Sequence, residues 1–308
     1  NRYEMKVNGW LFVDKPEGIS SRKVVDLISN SLSIKKVGHA GTLDPMASGL
    51  LPIAIGEATK TIGVIQQFKK RYKFIIKWGE KTSTDDKMGT IISSTSIRPN
   101  LNTINENIKN FIGKIEQIPP KFSAIKLNGK RAYMLARKNK KFSLNPRTVF
   151  IETFQIKKYL DENHCSFECI CSKGTYIRAL GRDLGEAMNC FGHLYELRRT
   201  HIGNFSTKCA ILLDLSKKLI HSSAILENIL PIDKVLESLP FINLTGKQEI
   251  AIRNGQRISL DELIEDEQKN FFLNKSINTY MICKNKNRPI CFFKIDNNFV
   301  KPTRVFNL

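Results

Sequence analysis

The chain has 308 residues, 41% of them hydrophobic, enough to bury the core of one large domain or of one domain with a small appendage. Lys and Arg number 49 against 29 Asp and Glu, a formal net charge of +20 that favours a polyanionic partner, although a Lys-rich codon bias would produce the same excess. The longest apolar runs, such as residues 50–55, fall far short of the roughly 20 residues a spanning helix needs. Residues 1–7 lack the apolar core of a signal peptide, with Met5 a candidate natural start, and seven cysteines without a paired framework fit a reducing cytosol.

In chain order, residues 9–15 read as a short buried strand that ends in the turn Asp14-Lys15-Pro16-Glu17-Gly18. Ser20 or Ser21 can cap a helix carrying Val24, Val25, Leu27 and Ile28. A Gly-rich segment spans 37–56. Residues 57–68 have helical spacing, and 72–78 alternate as a strand. Helices are expected at 102–112, 133–138 and 175–188, strands at 148–157 and 164–172, and a strand pair at 193–206. The composition shifts near residue 240. Leu244-Thr245-Gly246 opens a last segment with a short helix and alternating strands at 279–284 and 290–295. This divides the chain into 1–240 and 241–308. Strands and helices mix without a βαβ rhythm, so the fold class is α+β rather than a doubly wound sheet.

The stretch richest in chemistry is Gly38-His39-Ala40-Gly41-Thr42-Leu43-Asp44-Pro45-Met46-Ala47-Ser48-Gly49-Leu50-Leu51-Pro52. Its glycines permit tight turns and close approach to a ligand. Pro45 disfavours helix at Asp44, which places that carboxylate on a loop. Taken alone, the pair also fits an ordinary Asp-Pro turn, and His39 an ordinary loop histidine. Gly129-Lys130-Arg131 lacks the upstream Gly and the Ser/Thr of a phosphate loop. His164, Cys165, Cys169 and Cys171 lack the paired spacing of zinc ligands. Cys165, Phe167, Cys169 and Cys171 fall instead on one face of a strand. His193, His201 and His221 have no evident partners.

From residue 121 to 150 there are nine Lys or Arg (Lys121, Lys126, Lys130, Arg131, Arg137, Lys138, Lys140, Lys141 and Arg147) and no Asp or Glu, with Tyr133 and Phe142 interleaved. A thirty-residue stretch without an acid suits contacts to phosphates better than an ordinary solvated face.

Residues 38–60, ending Ile53-Ala54-Ile55-Gly56-Glu57-Ala58-Thr59-Lys60, resemble the signature of the TruB family of tRNA pseudouridine synthases. Further matches keep that family's order: Asp14-Lys15-Pro16 with Gly18, Lys70-Arg71-Tyr72, Thr82-Ser83-Thr84-Asp85-Asp86 with Gly89, and Pro119-Pro120-Lys121-Phe122-Ser123-Ala124. Ser172-Lys173-Gly174-Thr175-Tyr176-Ile177-Arg178 and Leu197-Arg198-Arg199 follow. The resemblance covers residues 9–205 and then thins. Leu244-Thr245-Gly246, Arg253-Asn254-Gly255-Gln256-Arg257-Ile258 and Lys301-Pro302-Thr303-Arg304-Val305 are similar to parts of the family's C-terminal PUA-like module.

The resemblance implies a mixed, mainly antiparallel sheet with flanking helices and a small C-terminal β module. It implies isomerisation of uridine 55 in the tRNA T loop to pseudouridine, by a monomer with no cofactor, metal or obligatory protein partner. Asp44 would be the catalytic carboxylate, attacking the sugar C1′ or the base C6. Arg178 would be its ion-pair partner, and Tyr72 would stack on the base and help move the C5 proton. Tyr176 and Leu197 would line the uracil pocket, Lys15 would brace the site and Asp86 would support the Arg–Asp network. His39 would fill the space the flipped base vacates. Lys130 and Arg131 would belong to a thumb segment, 121–150, that closes on RNA and is expected to be poorly ordered without it. Two rivals remain at this level: a guide-RNA-dependent synthase of the dyskerin kind, and an RNA-binding protein without catalysis on the same scaffold.

Overall fold

The computed structural model describes residues 7–127, 129–138, 140, 142–213, 222–276 and 278–308; the candidate start Met5, Lys141 and His221 lie outside them. The first strand, Gly9–Lys15, is buried along almost its whole length and pairs antiparallel with Ala47–Ile55. Ser20 caps the next helix, Ser21–Leu32, its hydroxyl accepting from the Lys23 amide at 3.2 Å. Val24, Val25 and Ile28 then face the core on one stripe.

The Gly-rich segment departs from the loop its composition suggests. Val37–His39 and Ala47–Ile55 are both strands, and only residues 40–46 between them form a loop. The reason is the run Leu50 to Ile55, buried on both faces at the middle of the sheet, where apolar packing overrides turn propensity. The helix expected at 57–68 divides into a 3₁₀ stretch, Gly56–Thr61, and a short α-helix, Ile62–Gln67. The helix at 102–112 likewise ends in a 3₁₀ turn, as Leu101–Ile108 followed by Lys109–Phe111. The other expected elements form within a few residues of their predicted ends: Lys70–Trp78, Ala132–Arg137, Arg147–Asp161, His164–Cys171, Ile177–Ala187, Gly192–Ile202 and Phe205–Ser206.

These strands build a ten-stranded sheet. Its main path runs Ile211–Leu212, Gly9–Lys15, Ala47–Ile55, Gly192–Ile202, Lys70–Trp78, His164–Cys171, Arg147–Asp161, Gly113–Gln117. Most pairs are antiparallel; Gly192–Ile202 lies parallel to Ala47–Ile55, and Ile211–Leu212 parallel to Gly9–Lys15. One face packs Val13, Leu51, Phe74, Phe167 and Leu194 against the helices Ser21–Leu32 and Ile177–Ala187. The alternate face of the first strands, with Trp10, Phe12, Leu50 and Ala54, packs against Ile282, Phe292 and Phe306 from the end of the chain. Cys165, Cys169 and Cys171 are buried on one face of their strand, as their alternation predicts.

The last segment forms a second sheet of five strands: Phe241–Asn243, Met281–Asn285, Arg288–Asp296, Phe299–Val305 and Ile258–Ser259. It has its own core of Ile252, Leu260, Cys283, Ile290 and Val300, and resembles a PUA-like module. The fold is thus α+β, with a mainly antiparallel central sheet, flanking helices and a C-terminal β module. Among the described residues, no helix is long and apolar enough to cross a membrane.

Candidate active site

Asp44 sits on the loop between Val37–His39 and Ala47–Ile55. Three elements hold that loop from different sides. The Ser21 hydroxyl accepts from the Leu43 amide at 2.8 Å and donates to the Leu43 carbonyl at 2.9 Å. The Gly18 amide donates to the Pro45 carbonyl at 2.8 Å. Arg199, 2% exposed on the strand Gly192–Ile202, donates to the carbonyls of Leu50, Gly41 and Thr42 at 2.8, 2.9 and 3.4 Å. Gly49 is required where the loop becomes strand: its φ is +107°, and a Cβ there would lie 2.2 Å from the Arg199 carbonyl oxygen.

Arg178 lies in the first turn of the helix Ile177–Ala187 and is buried, 4% exposed. Its Nε lies 2.8 Å from Asp44 Oδ2, and its Nη2 donates to Asp44 Oδ1 at 3.3 Å. The same guanidinium donates to the carbonyls of Thr84 and Phe122, each at 3.0 Å, and lies 3.8 Å from Asp86 Oδ2. Asp86 is fixed in turn by the Thr84 hydroxyl at 2.6 Å and the Met88 amide at 3.0 Å. The Asp44 side chain remains about one-third exposed. Burial pushes its carboxyl above the usual carboxylate range, while Arg178 pulls the other way. One carboxylate is therefore oriented by a two-point contact and still open to an incoming group.

The remaining predicted residues surround this pair at different ranges. Lys15 is fully buried and donates to the carbonyls of Pro16 and Ile19, both at 2.8 Å. Burial pulls its ammonium down to about 8, opposed by the nearby Asp44 and Glu17 charges. Tyr72 is buried directly across the strand pair from Arg199. Burial raises its hydroxyl above the ordinary tyrosine value, and Arg199 opposes that rise. Leu197 lies on the same face, 6% exposed, in the apolar cluster that includes Leu43, Met46 and Tyr72. Tyr176 caps the helix of Arg178, and its backbone is gripped by Gln117: the side-chain oxygen accepts from the Tyr176 amide at 2.8 Å and the side-chain nitrogen donates to its carbonyl at 3.1 Å. His39 is half-buried, and its Nδ1 has no hydrogen-bond partner among the described residues. Burial, then the charges of Arg199, Arg22 and Arg131, lower its pKa and favour the neutral ring. Lys130 and Arg131 are exposed on a two-residue strand paired with Lys126–Leu127.

Three structural roles went unread in the sequence. Arg199 belongs to a matched motif, and its alternation with buried Leu197 is the signal that it points inward. Gln117 carries no local signal. Arg182, one turn after Arg178, joins Asp85 at 2.9 Å, Asp183 at 2.8 Å and the Ile118 carbonyl at 2.7 Å, tying the segment before the basic arm to the Asp86 loop. Among the described residues no group of three or more His, Cys, Asp or Glu is arranged to hold a metal.

The described site is thus an aspartate held by a buried arginine on a loop of a mainly antiparallel sheet. The fold is shared with the structure described as "Crystal Structure of a Cbf5-Nop10-Gar1 Complex", which superposes with a TM-score of 0.72 at 23% identity, over 97% of this chain and 84% of that one. Residues 29–177 match the model of the TruB family pseudouridylate synthase N-terminal domain, and 178–237 that of the tRNA pseudouridylate synthase B C-terminal domain. The tRNA pseudouridine synthase B of Ehrlichia ruminantium is 42% identical over 303 residues, 97% of this chain and 99% of the relative. That of Nitrobacter winogradskyi is 38% identical over 312 residues, 100% of this chain and 85% of the relative. The chain belongs to the TruB family of pseudouridine synthases.

Proposed function

We propose that the protein converts uridine 55 in the T loop of tRNA to pseudouridine, acting alone and without a cofactor. The observation that carries this reading is the Asp44 carboxylate, oriented by Arg178 at 2.8 Å yet one-third exposed. The tRNA substrate follows the printed names of the relatives. Isomerisation breaks the bond from N1 to C1′ and forms one from C5 to C1′, with loss of the C5 proton and gain of one at N1. No atoms are gained overall and no electrons change hands, so neither a metal nor a redox group is demanded.

Asp44 is the nucleophile, toward C1′ or C6. Arg178 keeps it ionised and aimed. Tyr72 stacks on the base and accepts the C5 proton. Tyr176 and Leu197 line the uracil pocket, Lys15 braces it, and Asp86 holds Arg178 in place. The target base leaves its stack to reach Asp44, and neutral His39 occupies the gap. Lys130 and Arg131, with the rest of 121–150, form a thumb over the phosphates. Residues 1–240 form the catalytic domain and 241–308 a module that touches tRNA away from the reaction. The protein works as a cytoplasmic monomer.

The test is tritium release from tRNA carrying tritium at uridine C5, for the intact protein and for Asp44→Asn. Release by the intact protein alone, and only from tRNA with a uridine at position 55, is the expected result. No release by either, with tRNA still bound, would leave an RNA-binding protein or one that needs a guide.

A further inference from the structure

Arg199 is a buried cation that the reading above leaves without a task. It is 2% exposed, among the largest fully buried side chains, and among the described residues no carboxylate pairs with it. Its neighbour Arg198 does have one, with Nη2 2.6 Å from Asp14 Oδ2. A buried charge held only by neutral groups is costly to keep, and packing alone would be served as well by an apolar residue of similar volume. What Arg199 touches therefore indicates its use. All three of its hydrogen bonds go to carbonyls of the segment that carries Asp44: Gly41, Thr42 and Leu50. Directly across the strand pair lies Tyr72, on the same face of the sheet.

We propose that Arg199 is a positioning residue with two faces: its planar fork fixes the loop that presents Asp44, and its fixed positive charge, directly across the strand pair, stabilises the phenolate form in which Tyr72 can act as a base. The second half rests on the reading of Tyr72 as the acceptor of the C5 proton. The guanidinium is suited to both at once. Its donors lie in one rigid plane and match three carbonyls set around the loop, which a lysine ammonium on a flexible stem cannot do. Its charge acts where water is largely excluded and is little screened. Burial drives the Tyr72 hydroxyl toward its neutral form, and Arg199 opposes that drive. The same charge favours the neutral ring of His39 and the neutral form of Lys15, so one residue biases three groups around Asp44.

Arg199→Lys and Arg199→Met separate the two halves, because the first keeps the charge and loses the fork. Single-turnover tritium release, tRNA affinity and the titration of the Tyr72 ring, followed by its ¹³Cζ resonance and assigned through Tyr72→Phe, are measured on all three proteins. Arg199→Lys is expected to slow the chemical step by about a hundredfold, the scale of a misplaced reacting group, with tRNA affinity and the Tyr72 titration unchanged. Arg199→Met is expected to slow it further and to move the Tyr72 titration to higher pH. Full activity in Arg199→Lys would overturn the positioning of the loop. An unmoved Tyr72 resonance in folded Arg199→Met, checked by near-ultraviolet circular dichroism, would overturn the electrostatic half. Tritium release by Tyr72→Phe at the rate of the intact protein would instead sink Tyr72 as proton acceptor, while the resonance still reports its coupling to Arg199.

Discussion

Two carboxylates, each held by arginine, behave in opposite ways in this molecule. Glu249, in the C-terminal module, accepts from Arg253 Nε at 2.8 Å, from Asn285 at 2.7 Å, and from Arg288 at 2.8 and 3.0 Å. Both of its oxygens are occupied. Burial works to raise its pKa, but these donors prevail and hold it below the usual glutamate value. Asp44 has one arginine and an open side, and there burial prevails and raises it. Residue types alone do not distinguish a structural ion cluster from a reactive one. The distinction lies in whether donors saturate the carboxylate or leave one edge open.

Exchanging each acid for its amide sharpens that contrast, and carries the largest expected effect. Asp44→Asn should abolish tritium release and leave urea denaturation nearly as in the intact protein. Glu249→Gln should do the reverse: activity retained, and stability lowered by about 1–2 kcal/mol, a modest value because Arg253 and Arg288 are partly exposed and screened. Loss of activity in Glu249→Gln at full stability would break the comparison.

Next in size is the partner of Asp44. Arg178→Lys retains a charge but not the set of contacts to Asp44, Thr84 and Phe122, so kcat should fall by about a hundredfold. Arg178→Gln tests the sign of the electrostatics. In the proposed reaction Asp44 acts ionised, so activity should be lost as pH falls through its pKa. Arg178 lowers that pKa, and removing it should move the acidic limb of the kcat profile to higher pH. A limb that stays in place would mean that the acidic limb belongs to another group.

The smallest effect concerns Glu57, a third acid of the saturated kind. It accepts from Lys36 at 2.7 Å, Lys60 at 2.6 Å and the Asn307 amide at 2.8 Å, joining the segment after the strand Ala47–Ile55 to the chain end. Burial alone would raise it, yet these donors outweigh burial and hold it at about 2. Its folded pKa is depressed, so its contribution to stability is full above the ordinary value of 4.5 and is lost as pH falls toward about 2. The difference in Tm between the intact protein and Glu57→Gln should therefore shrink between those pH values. A difference that stays constant would show that Glu57 does not act through its charge.

Several parts of this picture were legible before any coordinates. The strand Gly9–Lys15, the helix begun by Ser20 and the alternating Cys165 to Cys171 strand follow from local periodicity and capping. Asp44 on a loop follows from its proline neighbour. The strand inside the Gly-rich segment was not legible, because burial at the sheet centre outweighed the turn signals around it. Neither was the use of Arg199 or Gln117, since each acts on atoms far away in sequence.

By itself, then, the sequence determined the fold class, most of the elements, the family signature and which acid sits on the glycine loop. These depend on neighbours a few positions apart or on a motif read directly. The tertiary structure decided which charges meet. Asp44 and Arg178 are 134 positions apart, and Arg199 reaches carbonyls 149 to 158 positions away. Those meetings follow from the sheet order, which lays Gly192–Ile202 between Ala47–Ile55 and Lys70–Trp78. Strand order is set by the burial of whole apolar faces, a long-range property that no local pattern encodes.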